Sequence, residues 1–224
     1  MLLINTKSIY TKNFTDSLVF DSALIFLLFA LFGLSHSFLA SRKFKENLAN
    51  NIGDKIAFYR LFYNLISIIS FVAIIGLSPK PDVVLYDLPN PYDLIFFALQ
   101  IVGFAGLLWV VKVIDGMEFL GINQIKRYLN GSYNQAELDE HSEFLIEGPF
   151  KFCRHPIYFF SIVVLMFSPS MNLWYLITLI NIVIYFYVGS IYEERKLEKL
   201  FGVQYSNYKN VVPRIIPYKI FMRK

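Results

Sequence analysis

The 224 residues are 56% hydrophobic and only 17% charged, with mean hydropathy +0.49 and a formal net charge of +4. A soluble domain carries about 25% charged residues, so this composition excludes an ordinary water-soluble globule, and so modest a charge gives no reason to expect a nucleic-acid partner. A lone cysteine, Cys153, excludes an intrachain disulfide.

In chain order, a membrane helix needs roughly 20 mostly apolar residues. The spans predicted one by one cover about 18–39, 61–78 and 94–114. The first lies too deep in the chain and runs too long for a secretory segment, so it is expected to be retained. Its connection to the second holds Arg42, Lys43, Lys45 and Lys55, the next connection only Lys80, and the third Lys126, Arg127 and Lys151 before Arg154. Pro156 to Tyr192 then runs for 37 residues without Asp, Glu, Lys or Arg. That is too long for one crossing, and "SPSMN" at 168–172 supplies the Pro and small polar residues of a tight turn. A helical hairpin is predicted, with spans at about 155–168 and 171–191.

The fold expected is therefore all-α and integral to the membrane. It has about five transmembrane helices in a single domain over 1–224, and contacts membrane lipids. Eight Lys and Arg follow from Arg195 to the end of the chain. With an odd number of spans, the basic segments share one side. The N-terminus is expected outside and the C-terminus in the cytoplasm, in a bacterial inner membrane. In the tail, Leu197, Leu200, Phe201, Tyr205, Tyr208 and Val212 form a helical stripe that predicts an amphipathic helix along the cytoplasmic surface.

The two mouths of the hairpin carry opposite charge. Pro156 suits the first turn of a helix, which puts Arg154 and His155 beside unpaired N–H groups at the positive end of the dipole. Glu193 and Glu194 close the second helix, where acid opposes the dipole. Adjacent helical residues diverge by about 100°, so at most one Glu is expected to face the Arg-His mouth. A zwitterion with an amino and a carboxylate group matches both poles. Position alone also allows these charges to be topology anchors and solvated Glu–Lys pairs.

His36, at the cytoplasmic end of the first span, is either functional or a packing histidine. Cys153 beside Arg154 and His155 sits where a thiol pKa is lowered, but a small, half-buried filler is the favoured reading. His141 in "ELDEHSE" reads as solvated, and the histidines lack metal-ligand spacing, so no metal is expected. Asn64, Gln100 and Asn181 are expected to make interhelical hydrogen bonds.

"RHPIY", "EER", "FGVQYSNYKNVVP" and "IIP" resemble the C-terminal signature of the isoprenylcysteine carboxyl methyltransferase and phospholipid methyltransferase superfamily. Within it, "LFGLSHSFLASRKFK", "EFLGINQIKRYLNG" and "SPSMN" are most similar to the methanethiol S-methyltransferase family. The resemblance runs from the first span to the last Pro. It implies S-adenosylmethionine as cofactor, and the absence of any G-x-G excludes a Rossmann-type site for it. It also implies that Arg154, His155, Pro156 and Tyr158 hold the methionine end and that Glu193 or Glu194 takes the amino group or ribose. Tyr205 and Tyr208 would frame the adenine, within a cofactor region of about 148–217.

The reaction implied is methanethiol to dimethyl sulfide, with His36, Arg154 and His155 at its centre and a small thiol as partner. The nucleophile is a thiolate, so His36 is placed to accept the thiol proton. A lipophilic acceptor (a prenylcysteine carboxylate or a phospholipid amine) is the enzymatic alternative, and a non-enzymatic membrane subunit the other. One departure stands out: Phe160 occupies a position where the superfamily has Gly, which would crowd a cofactor unless that helix face points elsewhere.

Overall fold

The computed structural model describes residues 6–136, 138 and 144–219, with side chains from position 17 onward. His141, Arg223 and Lys224 lie outside them. Helix α1 (Thr6–Ala40) stops where Ser41 leaves helical geometry, and the Ser41 hydroxyl then accepts from Phe44 N–H to start α2 (Arg42–Ile52). α2 ends at Gly53, whose φ of 59° suits a residue without Cβ. A 3₁₀ stretch, Gly53–Phe58, leads into α3 (Tyr59–Leu77), which ends before Pro79.

Strand β1 (Val84–Asp87) precedes α4 (Tyr92–Val113). Asp115 then caps the short α5 (Gly116–Leu120), followed by α6 (Ile122–Leu129). After a second 3₁₀ turn, Gly148–Lys151, come α7 (Pro156–Met166), β2 (Ser170–Asn172), α8 (Leu173–Phe201) and α9 (Val203–Val211).

The molecule is a mostly helical membrane protein. Among the described residues four segments are long and apolar enough to cross a bilayer: Ser17–Ala40, Arg42–Leu77, Tyr92–Val113 and Leu173–Phe201. The segment expected at 155–168 differs. α7 has only 11 residues, a rise of about 16 Å against a hydrocarbon core of about 30 Å. It stops because the chain is drawn into an antiparallel pair with β1, in which Tyr86 faces Met171 and Asp87 faces Ser170.

So "SPSMN" is not a free tight turn, and the fold has a two-stranded sheet beside its helices. The pairing joins the second connection to the hairpin's far end. From Leu173 to Glu194 α8 rises about 32 Å. α7 plus a few extended residues at about 3.3 Å each covers nearly the same height.

Two packing devices hold the bundle. Ile25, Phe29, Ile74 and Ile177 form a buried cluster where α1, α3 and α8 meet. α4 meets α7 through glycines: a Cβ on Gly106 would lie 2.2 Å from Phe160 Cδ1, and one on Gly103 2.7 Å from Val164 Cγ2. Gln100 Nε2 donates across this contact to Val164 O at 2.9 Å. Asn64 donates to Phe119 O on α5, whereas Asn181 bonds one turn back to Ile177 O, within its own helix rather than between helices. The outward faces stay apolar, with Ile69 and Leu108 both exposed, as a lipid-facing surface requires.

The tail also differs from the single surface helix expected. α8 continues past Tyr192 to Phe201, Gly202 (φ 53°) breaks it, and α9 folds back. The stripe is divided by that break. Tyr205, Tyr208 and Val212 form a buried cluster with Phe144, Leu197 and Phe201.

Candidate functional site

Backbone geometry brings the two mouths together. Pro156, buried, has no N–H to offer and starts α7. The residues before it stay non-helical and pair with the returning tail: Arg154 N–H donates to Pro213 O (2.9 Å) and His155 N–H to Arg214 O (3.0 Å).

Glu194 is the centre of the resulting charge cluster. It is 2% exposed and accepts from Arg154 Nε (2.8 Å) and Arg214 Nη2 (3.0 Å). Lys209 Nζ stands 3.9 Å away. Arg154 also donates to the carbonyls of Lys209 and Val212. Enclosing a carboxylate is tolerable only when donors replace its hydration, and here they do.

His155 lies between two carboxylates. Nε2 is 3.2 Å from Glu194 Oε1 and Nδ1 is 3.3 Å from Glu193 Oε2. Both glutamates therefore meet the Arg-His mouth, contrary to the helical-wheel expectation of at most one. An imidazole has polar atoms on two edges and so bridges the divergence between neighbouring side chains. A neutral ring has one N–H, so two acceptors favour the imidazolium. Burial pulls the His155 pKa down, but hydrogen bonds and charge from Glu193 and Glu194 outweigh it, and the net shift is upward from 6.5.

Glu193 remains 49% exposed at its side chain and accepts from Tyr158 Oη at 3.2 Å. Tyr158 is sandwiched, stacking on His155 (5.2 Å between centroids, 4° interplanar) and on Phe186 (4.4 Å, 7°). Phe160, two residues on, points away from this face into the Gly106 notch of α4. The missing superfamily Gly thus leaves the carboxylate face uncrowded.

Tyr205 and Tyr208 sit behind the cluster, both buried, edge-on to Phe144 at 5.9 and 5.5 Å. Tyr208 Oη donates to Phe150 O (2.6 Å), and Tyr205 Oη has no hydrogen-bond partner among the described residues. Burial raises the pKa of both phenols.

Cys153 does not have the lowered pKa its neighbours suggested. It is 1% exposed, and burial pushes its thiol up to about 12, outweighing the His155 backbone N–H and the Arg154 charge. It walls an apolar cavity of about 210 Å³ with Trp109, Phe159 and Phe160, on the α4 side of α7.

His36 forms a second polar cluster, half-buried, with Tyr63 and Ser67 of α3. Neither of these two is among the residues the motifs point to, nor are Arg214 and Lys209 as partners of Glu194. Ser67 stands four residues after Tyr63 in an apolar span, a spacing that puts both on one helix face and was the available signal. Arg214 directly follows the final "VVP".

A family model described as a protein of unknown function (DUF1295) matches residues 8–212. Methanethiol S-methyltransferase 1 of Bradyrhizobium diazoefficiens is 31% identical over 223 residues, covering 98% of this chain and 74% of that protein. Methanethiol S-methyltransferases of Crocosphaera subtropica (25% identical, 95% of this chain and 80% of that protein) and Pseudomonas deceptionensis (24%, 85% and 71%) are also similar. No solved structure matches the chain.

Proposed function

Because the chain belongs to the methanethiol S-methyltransferase family, we propose that this membrane methyltransferase moves a methyl group from S-adenosylmethionine to a small thiol. The carrying observation is the mouth where α7, α8 and the tail converge. It presents a half-exposed carboxylate, Glu193, paired with His155, and a partly exposed guanidinium, Arg214, paired with Glu194. The two fit the ammonium and carboxylate of an amino-acid zwitterion.

The donor supplies an electrophilic methyl group on a sulfonium. Glu193, aimed by Tyr158 and His155, takes the ammonium. Arg214 takes the carboxylate, with Arg154 behind it. Glu194 has its oxygens engaged by Arg154, Arg214 and His155, so its role is to fix those three, and Pro156 sets where α7 begins. Tyr205 and Tyr208 back the wall that holds the adenine, within a cofactor region of about 148–217 of a single domain. His36 is the final holder of the thiol proton. The mouth faces the cytoplasm of a bacterial inner membrane, with the N-terminus outside. The small-thiol reading rests on the relatives' names, and dimethyl sulfide is the product from methanethiol.

The test uses membranes containing the wild type or Glu193→Gln, given methyl-labelled S-adenosylmethionine and methanethiol. Wild type should release labelled dimethyl sulfide. The variant should remain folded in detergent yet show a KM for the donor raised about tenfold or more, the scale of one charged hydrogen bond of about 1.5–3 kcal/mol. A wild type that binds no donor and gives no thioether would leave the cluster a structural clamp.

A further inference from the structure

Within the apolar part of the bundle, the hydrogen bonds around His36 fix its tautomer. Ser67 Oγ donates to Tyr63 O one turn back, at 2.7 Å, which uses its one proton. The 2.9 Å contact between Ser67 Oγ and His36 Nδ1 therefore needs the proton of Nδ1–H. Nε2 is left with its lone pair, and Tyr63 Oη, 2.5 Å away, donates to it. These assignments follow from the network. Phe32 stacks on the imidazole (5.4 Å, 26°) and Tyr185 meets it edge-on (5.9 Å, 71°), holding the ring in place.

Among the described residues, titratable and charged groups around the pair come from α3, α7 and α8. Arg60 of α3 stands 5.9 Å from the Tyr63 ring, and Tyr59 stacks on that ring at 6.3 Å. Tyr185 comes from α8. Tyr158 of α7 stacks on Phe186, the neighbour of Tyr185, and it also holds Glu193. Ring contacts run from His36 through Tyr185 and Phe186 to Tyr158, and so join the His36–Tyr63 pair to the mouth.

We propose that Tyr63 is the catalytic residue that takes the proton from the thiol, with His36 behind it as the group that keeps the proton. This rests on the thiol-methyltransferase reading. The S–H bond breaks and its proton goes to Tyr63 Oη as the Tyr63 O–H proton passes to His36 Nε2. Sulfur keeps the electron pair as a thiolate, and His36 becomes an imidazolium anchored at Nδ1 by Ser67. The thiolate bonds to the methyl carbon while the carbon–sulfonium bond breaks, its electron pair returning to the donor sulfur. The Arg60 charge favours the thiolate.

The experiment compares methanethiol, mostly protonated at neutral pH, with 4-nitrothiophenol, which ionises unaided. Tyr63→Phe should slow methylation of methanethiol about a hundredfold or more, the scale of a lost general base, and leave the aryl thiol near the wild-type rate. His36→Gln should follow the same pattern. Nitrogen-15 spectra of histidine-labelled protein in micelles give a readout without turnover: His36 should be protonated at Nδ1 with Nε2 accepting, and Tyr63→Phe should shift Nε2. Equal losses with both thiols, or a proton on Nε2, would overturn the role of Tyr63. A wild type that methylates neither thiol would remove the function reading, and this inference with it.

Discussion

At the scale of single residues, Glu193 and Glu194 do not close a helix as the sequence suggested: α8 runs on to Phe201, and the two acids stand about two turns before its end. Glu194 binds Arg154, Arg214 and His155 at once, and the helix-dipole effect, which falls off within the last turn, does not reach it. His155 makes the arrangement pH-sensitive. Its folded-state pKa is raised above 6.5, so the stability contributed by its protonated ring is fully present below that value. It is lost as pH rises through the folded-state pKa. The melting temperature in detergent should therefore fall with rising pH across that window, and His155→Gln should flatten this part of the profile. A wild-type profile that rises there would mean that His155 is neutral in the folded protein.

At the scale of elements, α7 is short, with 11 residues, and is fixed at both ends. It is pinned at its N-terminus by the tail and at its C-terminus by β2. On one side it packs against α4 across Gly103 and Gly106, a small-residue contact that membrane helices use to bring backbones close. Gly106→Ala would place a methyl group where the Phe160 ring now sits. The expected cost is about 1–3 kcal/mol of overpacking, read as a lower melting temperature. Adding Phe160→Ala should recover part of it, because the two changes share one contact. Additive losses in that cycle would show that α4 and α7 do not meet there.

At the scale of the whole molecule, the β1–β2 pair lies at the start of α8 and the charge cluster about 32 Å along its axis, at Glu194. The proposed orientation puts the cluster in the cytoplasm and the sheet outside. In a Cys153→Ala background, Asp82→Cys should react with a membrane-impermeant maleimide in intact cells. Ser132→Cys should react only after permeabilisation. The reverse pattern would place the proposed donor site on the side that lacks S-adenosylmethionine.

The sequence by itself determined the membrane class, the approximate extent of the long helices, and the pairing of an Arg-His mouth with a Glu-Glu mouth. Apolar length and the position of charge are local properties that a linear reading captures. Only the tertiary structure decided that α7 is half a span completed by extended chain, since that depends on β1, some 80 residues earlier in the chain. Only it decided that Phe160 turns toward Gly106, that Cys153 is buried, and that Glu194 is enclosed while Glu193 stays open. It also brought Tyr63 and Ser67 to His36. Each of these depends on which side chains from distant segments share a volume. Helical periodicity gives the direction of a side chain but not the neighbour it meets.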